Sequence, residues 1–283
     1  MKEMVLTILR ADMYRALRSP FLLTALVAVV ILSGYSAFSL FASASGVVTP
    51  SLILFSPGSG QTISDGIPSI TESVGTLGLS GGFLPAVSSL AVTLFLAQGV
   101  QSGYYGGLVS VGASRPSLVL EVLIVSLASS SALLVACFAP YFGGYALMGI
   151  VPISEFDYSA LSHWLVLADL HVFLYSFLAG CVTIVARRRV AGVVVALIVS
   201  TGILEMFLVT TLRSVEAFEP TVSILIPLLP DSIAEAMCQP SAALYNQYVG
   251  SASLQFVATA AYSLLTTVVG AISSTLCRRI NIP

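Results

Sequence analysis

Residues 161–189 read LSHWLVLADLHVFLYSFLAGCVTIVARRR. From Leu161 to Val185 the run is apolar, interrupted by Asp169, by His163 and His171, and by scattered hydroxyls. As a helix it covers about 37 Å, more than the ~30 Å of hydrocarbon in a bilayer. Three consecutive arginines, Arg187, Arg188 and Arg189, then stop it. Such a run, closed by a block of positive charge, marks a transmembrane helix and the side on which it ends.

Working outward, five further stretches qualify: roughly 21–44, 83–101, 118–141, 190–212 and 254–277. Apolar character continues past Tyr141 to Val151, and Pro140 with Gly143 and Gly144 predicts a kink or a short interfacial piece there. Charge decides the count. With the N-terminus inside, Lys2, Arg10, Arg15, Arg18, Arg115, the Arg187–Arg189 block, Arg278 and Arg279 all face the cytoplasm, and only Arg213 lies outside. Splitting 118–151 into two spans would reverse the triple-arginine block. The expected fold is therefore an all-α integral membrane protein: a single transmembrane domain over 1–283, with six transmembrane helices and both termini cytoplasmic.

Composition agrees. The 283 residues are 57% hydrophobic and 8% charged, against about 25% charged in soluble domains. That excludes a soluble enzyme, a disordered chain and a nucleic-acid binder, which would need a basic face. Cys137, Cys181, Cys238 and Cys277 are too scattered for a disulfide framework or zinc site, and His163 and His171 lack the spacing of a metal pair. No cofactor or metal site is expected.

Three segments invite functional readings. Residues 2–18 fit an amphipathic interfacial helix, with Val5, Leu6, Leu9, Met13, Ala16 and Leu17 on one arc and Glu3, Arg10, Asp12, Arg15 and Arg18 on the rest. It serves either as an orientation anchor on membrane lipid or as a lever toward a cytoplasmic partner. Gly192, Ala196 and Ser200 form a small-residue stripe on the fifth span, suited to packing within one chain or between two. Glu121, Asp169 and Glu205 are intramembrane acids, functional candidates because charge in a bilayer is expensive. Glu121 is expected to reach back to the interface.

The loop between the second and third spans reads FLAQGVQSGYYGGLVSVGASRPSL over 95–118. An apolar span, Gln-Ser-Gly, a short amphipathic segment, Gly-Ala-Ser-Arg and a new span resemble the coupling-helix region of ABC-2-type ABC transporter permeases, especially bacitracin and lantibiotic self-protection exporters. The six-span plan, the basic N-terminal helix and the two long outer segments are similar too. The resemblance implies ATPase-coupling roles for Gly103, Gly112 and Arg115. It also implies a separate ABC ATPase subunit, a second permease chain (homo- or heterodimer) and a bacterial cell membrane. The chain itself has no GxxxxGK[ST] loop, so ATP would be bound by the partner. Through the same resemblance, residues 213–253 are expected to hold a re-entrant helical hairpin, with a short helix over 231–238 capped by Asp231 or Ser232. The expected function is ATP-driven export of an amphipathic or hydrophobic substrate such as an antimicrobial peptide, this subunit not itself being an enzyme. The alternative is a standalone ion-coupled transporter using the intramembrane carboxylates.

Overall fold

The computed structural model describes residues 2–44, 74–80, 82–110, 115–147, 158–216, 225–238 and 254–279. These are helical almost throughout, with no strand among the described residues. The helices are α1 (Lys2–Leu17), α2 (Pro20–Ala44), α3 (Phe83–Gln101), α4 (Tyr104–Ser110) and α5 (Arg115–Leu147), followed by α6 (Tyr158–Ala186), α7 (Arg189–Ser200), α8 (Ile203–Glu216), α9 (Pro230–Cys238) and α10 (Leu254–Arg279). A π-helical turn, Gly75–Ser80, precedes α3.

Five helices are long and apolar enough to cross a membrane, and α7 with α8 makes a sixth if that bent pair is one span. The distribution of side chains fits a multi-pass membrane protein. Leu23, Ile31, Phe38, Val135, Met206, Phe207 and Leu264 face outward, while Ser88, Ser89, Thr93, Ser126, Ser130, His171, Ser176 and Thr183 are buried. A water-soluble bundle would reverse this arrangement. Many of the hydroxyls bond back to the preceding turn, as Ser33 does to Val29 O (2.6 Å) and Thr183 to Ala179 O (2.8 Å). Such bonds satisfy a polar group without water.

The helix whose sequence announced the fold, α6, is the axis of the bundle, packing against α3, α5, α7 and α10. Close approach comes from small residues. A Cβ on Gly180 would meet Val122, Leu96 and Val92, and one on Gly192 would strike Thr183 and Thr93. The stripe Gly192, Ala196 and Ser200 is the buried side of α7, so its contacts are within the chain. Two apolar clusters divide the core. One gathers Ala16, Phe95, Tyr105, Leu118, Phe177, Ile184 and Cys277 at the end where α1 and the arginine block lie. The other gathers Val29, Leu84, Cys137, Ile233 and Tyr262 toward the opposite end.

Three expectations need correction. The fifth span is not one straight helix over 190–212: α7 and α8 meet at 56°. Ser200 and Thr201 bond back to Ala196 O and Leu197 O, and Gly202 takes φ +69°, a left-handed conformation that ends the ladder. The third span does not stop at Tyr141; α5 runs unbroken to Leu147 with Pro140 inside it. Finally, the helical wheel misassigns the end of α1. Asp12 is 1% exposed and Leu17 77% exposed, because the side of α1 that meets protein carries Asp12 together with Ala16, while Arg10 and Arg18 stay exposed.

Candidate functional site

Two clusters of polar side chains are built into the bundle, one at each end. At the first, α1 lies against α2 and α5. Asp12 Oδ1 accepts hydrogen bonds from the Tyr104 hydroxyl (2.7 Å) and from Arg15 Nη1 (3.2 Å). The Arg15 guanidinium lies 3.7 Å from the centre of the Tyr104 ring and 5.2 Å from that of Phe95, a cation–π stack on two elements at once. One residue on, the Tyr105 hydroxyl donates to Glu121 Oε1 (3.0 Å). Thus α4, only 7 residues long, holds α1 through Tyr104 and α5 through Tyr105.

The electrostatics of this cluster are constrained. Burial pushes the Asp12 carboxyl above its ordinary value, while bonds from Tyr104 and Arg15 pull it back. Burial and the Asp12 carboxylate drive the Tyr104 phenol up to about 12, so it remains a donor. Asp12 Oδ2 and Glu121 Oε2 have no hydrogen-bond partner among the described residues.

The second cluster surrounds α9. Glu205, in the first turn of α8, accepts from the backbone N–H of Asp231 (2.7 Å) and of Ser232 (2.9 Å), and from the Ser232 hydroxyl (3.1 Å). The α9 N-terminus is thus capped by a carboxylate from another helix, where a negative charge also meets the helix dipole. Tyr175 donates to Asp231 Oδ1, and Tyr262 to Pro230 O. Tyr262 also bonds His171 Nδ1 (2.9 Å). At the other end of α9, Trp164 Nε1 donates to Met237 O (3.2 Å). Trp164 and Tyr175 are three turns apart on α6, about 16 Å at helical rise, so α9 lies along α6 with its N-terminus deep. Both residues fall in the apolar window Trp164–Ala186 of α6. The expected hairpin around α9 falls largely on residues 217–224 and 239–253, outside the described residues; α9 itself packs with its N-terminus beside the mid-section of α6.

The sequence-derived site residues fare unevenly. Gly103 sits in the α3–α4 turn at φ +71° with open space around it, a conformation that favours glycine. Gly112 lies outside the described residues, and Arg115 is the first residue of α5. Glu121 is 4% exposed and accepts from the Tyr105 hydroxyl. Asp169 Oδ2 accepts from Ser131 on α5 (2.7 Å). Glu205 serves α9, displacing Asp231 and Ser232 from the capping role expected of them. His171 is engaged by Tyr262, and no group of metal-ligating side chains occurs among the described residues. Tyr104, Tyr105 and Tyr175 carry much of both clusters and were not singled out from sequence. The adjacent pair Tyr104-Tyr105 in an otherwise small-residue loop was the available signal.

The fold and these two clusters define a class: a helical bundle with five or six helices long and apolar enough to span a membrane, with a short buried-in helix at one end and a clasped N-terminal helix at the other. No family model, curated protein or solved structure matches the chain.

Proposed function

We propose that the chain is the membrane-spanning subunit of an ATP-driven exporter of the ABC-2 type, working beside a separate ATPase and a second permease chain. The observation that carries this reading is the clasp of α1, α4 and the start of α5 through Asp12, Arg15, Tyr104, Tyr105 and Glu121. A soluble motor can move a membrane bundle only through a rigid handle on its own side. Here a two-turn helix between two spans is braced by hydrogen bonds and a cation–π stack to both the N-terminal helix and the next span. The short helix α9 supports the reading from the other end, where it packs on the Gly75–Ser80 turn and against α6 and α10, as a re-entrant helix would. Both ends would then be poised for alternating access, with the α1 side cytoplasmic.

The ion-coupled alternative finds its carboxylates already occupied. Glu205 is committed to the α9 N-terminus and Asp169 to Ser131. The test is to purify the tagged full chain from its native membrane in mild detergent, identify what accompanies it and assay hydrolysis. A stoichiometric ATP-binding protein with vanadate-sensitive activity is expected. Arg115→Glu should then uncouple hydrolysis from export while insertion is kept. A clean oligomer with neither ATPase protein nor activity would overturn the proposal.

A further inference from the structure

Ser19 stands between α1 and α2, is 4% exposed, and has a hydroxyl with no hydrogen-bond partner among the described residues. An orphaned buried hydroxyl is uncommon, and it lines a cavity of about 310 Å³. Arg15, Arg18, Tyr14, Gln98 and Ser102 share that cavity. Arg18 is exposed and held 4.3 Å from the centre of the Tyr14 ring. Arg15 uses Nη1 on Asp12 (3.2 Å), and a guanidinium has five N–H donors. Asp12 and Glu121 lie behind Arg15, bonded to Tyr104 and Tyr105. The 25-residue α2 begins here, and its positive dipole end adds to the two arginines.

Depth identifies the ligand. The apolar windows Pro20–Ser39 and Phe83–Gln101 both end at this cavity, which puts it where hydrocarbon gives way to headgroups. Leu17 and Leu23 project beside it, 77% and 62% exposed, as a surface for acyl chains. We propose that the cavity binds the phosphate of an anionic phospholipid in the leaflet on the α1 side, with Arg15 and Arg18 clamping its oxygens and Ser19 Oγ donating to one of them. The bound lipid would fix the angle between α1 and α2, on the element that also carries the Asp12 clasp. A free phosphate offers the same oxygens without the chains, so the two sources separate by experiment.

The full chain is delipidated in detergent, and phosphatidylglycerol or phosphatidylcholine with identical acyl chains is added back. Native mass spectrometry then reads occupancy, with and without millimolar inorganic phosphate. Arg15 also braces α1, so the informative variants are Arg18→Gln and Ser19→Ala, each checked for an unchanged melting temperature. One tightly retained phosphatidylglycerol is expected, favoured over phosphatidylcholine. Arg18→Gln should weaken it about tenfold, the loss of one charge-assisted bond, and Ser19→Ala by less. Equal retention of both lipids, or occupancy indifferent to Arg18→Gln, would overturn the site. Displacement by inorganic phosphate alone would overturn the lipid as its source. None of these readouts depends on an ATPase partner, so the lipid site and the exporter reading stand or fall separately.

Discussion

Replacing Glu205 by alanine tests the deepest element of the fold. The carboxylate receives two backbone N–H groups of the first turn of α9, at 2.7 and 2.9 Å, and the Ser232 hydroxyl at 3.1 Å. At a water-exposed N-terminus these donors would turn to solvent, and losing a cap costs about 1 kcal/mol. Here α9 stops against Tyr175 and Tyr262 inside the bundle, so two N–H groups lose their acceptor where little water can replace it. Each unmade bond of that kind costs about 1–3 kcal/mol. Glu205 is itself only partly buried, so the lower part of the range applies and the sum is about 2–3 kcal/mol. That raises the population with α9 undocked by about 30- to 150-fold. The chain supplies its own reporter. Cys238, the last residue of α9, is half-buried against Gly75, whereas Cys137, Cys181 and Cys277 are buried. Alkylation of Cys238 by a small maleimide, followed by mass spectrometry, should accelerate by that factor in Glu205→Ala. In Glu205→Gln, which keeps one acceptor oxygen, the gain should stay below about tenfold. Unchanged Cys238 reactivity in the alanine variant would refute the view that this carboxylate holds α9 in place.

Three further outcomes are expected. Gly192→Leu should lower the melting temperature sharply or block accumulation of the chain, since even a Cβ collides with Thr183 and Thr93; overpacking a close helix contact costs about 1–3 kcal/mol or more. Gly103→Ala meets open space and should cost only about 1–2 kcal/mol of left-handed backbone strain, readable as a modest shift in melting temperature. Burial raises Asp12 above 3.8, so the folded chain holds that proton to a higher pH than the unfolded one. The proton's contribution to docking α1 is complete below pH 3.8 and is lost as pH rises through the folded-state value. Hydrogen exchange of α1, taken relative to Asp12→Asn at each pH, should therefore quicken as pH rises through that window, and a flat ratio would count against it.

What the sequence made legible follows from the scale of each signal. Long apolar runs and the triple arginine are properties of whole segments, so α2, α3, α6 and α10 emerge at nearly the expected boundaries, and α5 emerges as a longer helix than expected. The short helix over 231–238 emerges as Pro230–Cys238. Its cap does not, because a contact between Glu205 and Asp231 depends on the bend at Gly202, and a hydropathy window reads straight through Thr201-Gly202. Asp12 is hidden for a related reason. A helical wheel sorts residues by polarity, but in a membrane protein a polar face can be the protein-facing one. The wheel then gives the right helix but misplaces Asp12 and Leu17, while Ala16, Arg10 and Arg18 fall where it puts them. Tyr104 and Tyr105 were invisible because aromatic residues near an interface are equally suited to lipid, and only the positions of Asp12 and Glu121 show that these two face protein.

Asp169 separates the two functional classes. Ser131 binds it across the α5–α6 contact through Oδ2, leaving Oδ1 without a hydrogen-bond partner among the described residues. As a packing group it needs only one acceptor, so Asp169→Asn keeps the Ser131 bond through the amide oxygen and should leave the stability within about 1 kcal/mol of the parent. As a proton carrier it needs ionisation, which asparagine cannot supply. In proteoliposomes enclosing a pH-sensitive dye, with a membrane potential imposed by a potassium ionophore, the packing role predicts the same slow acidification for parent and variant. A proton flux present in the parent and abolished in Asp169→Asn would favour the ion-coupled reading over the ATP-driven one. The bond already made to Ser131 is the reason to expect no such difference. A carboxylate that must gain and lose a proton in each cycle is poorly placed as the acceptor that joins two of the most closely packed helices in the bundle.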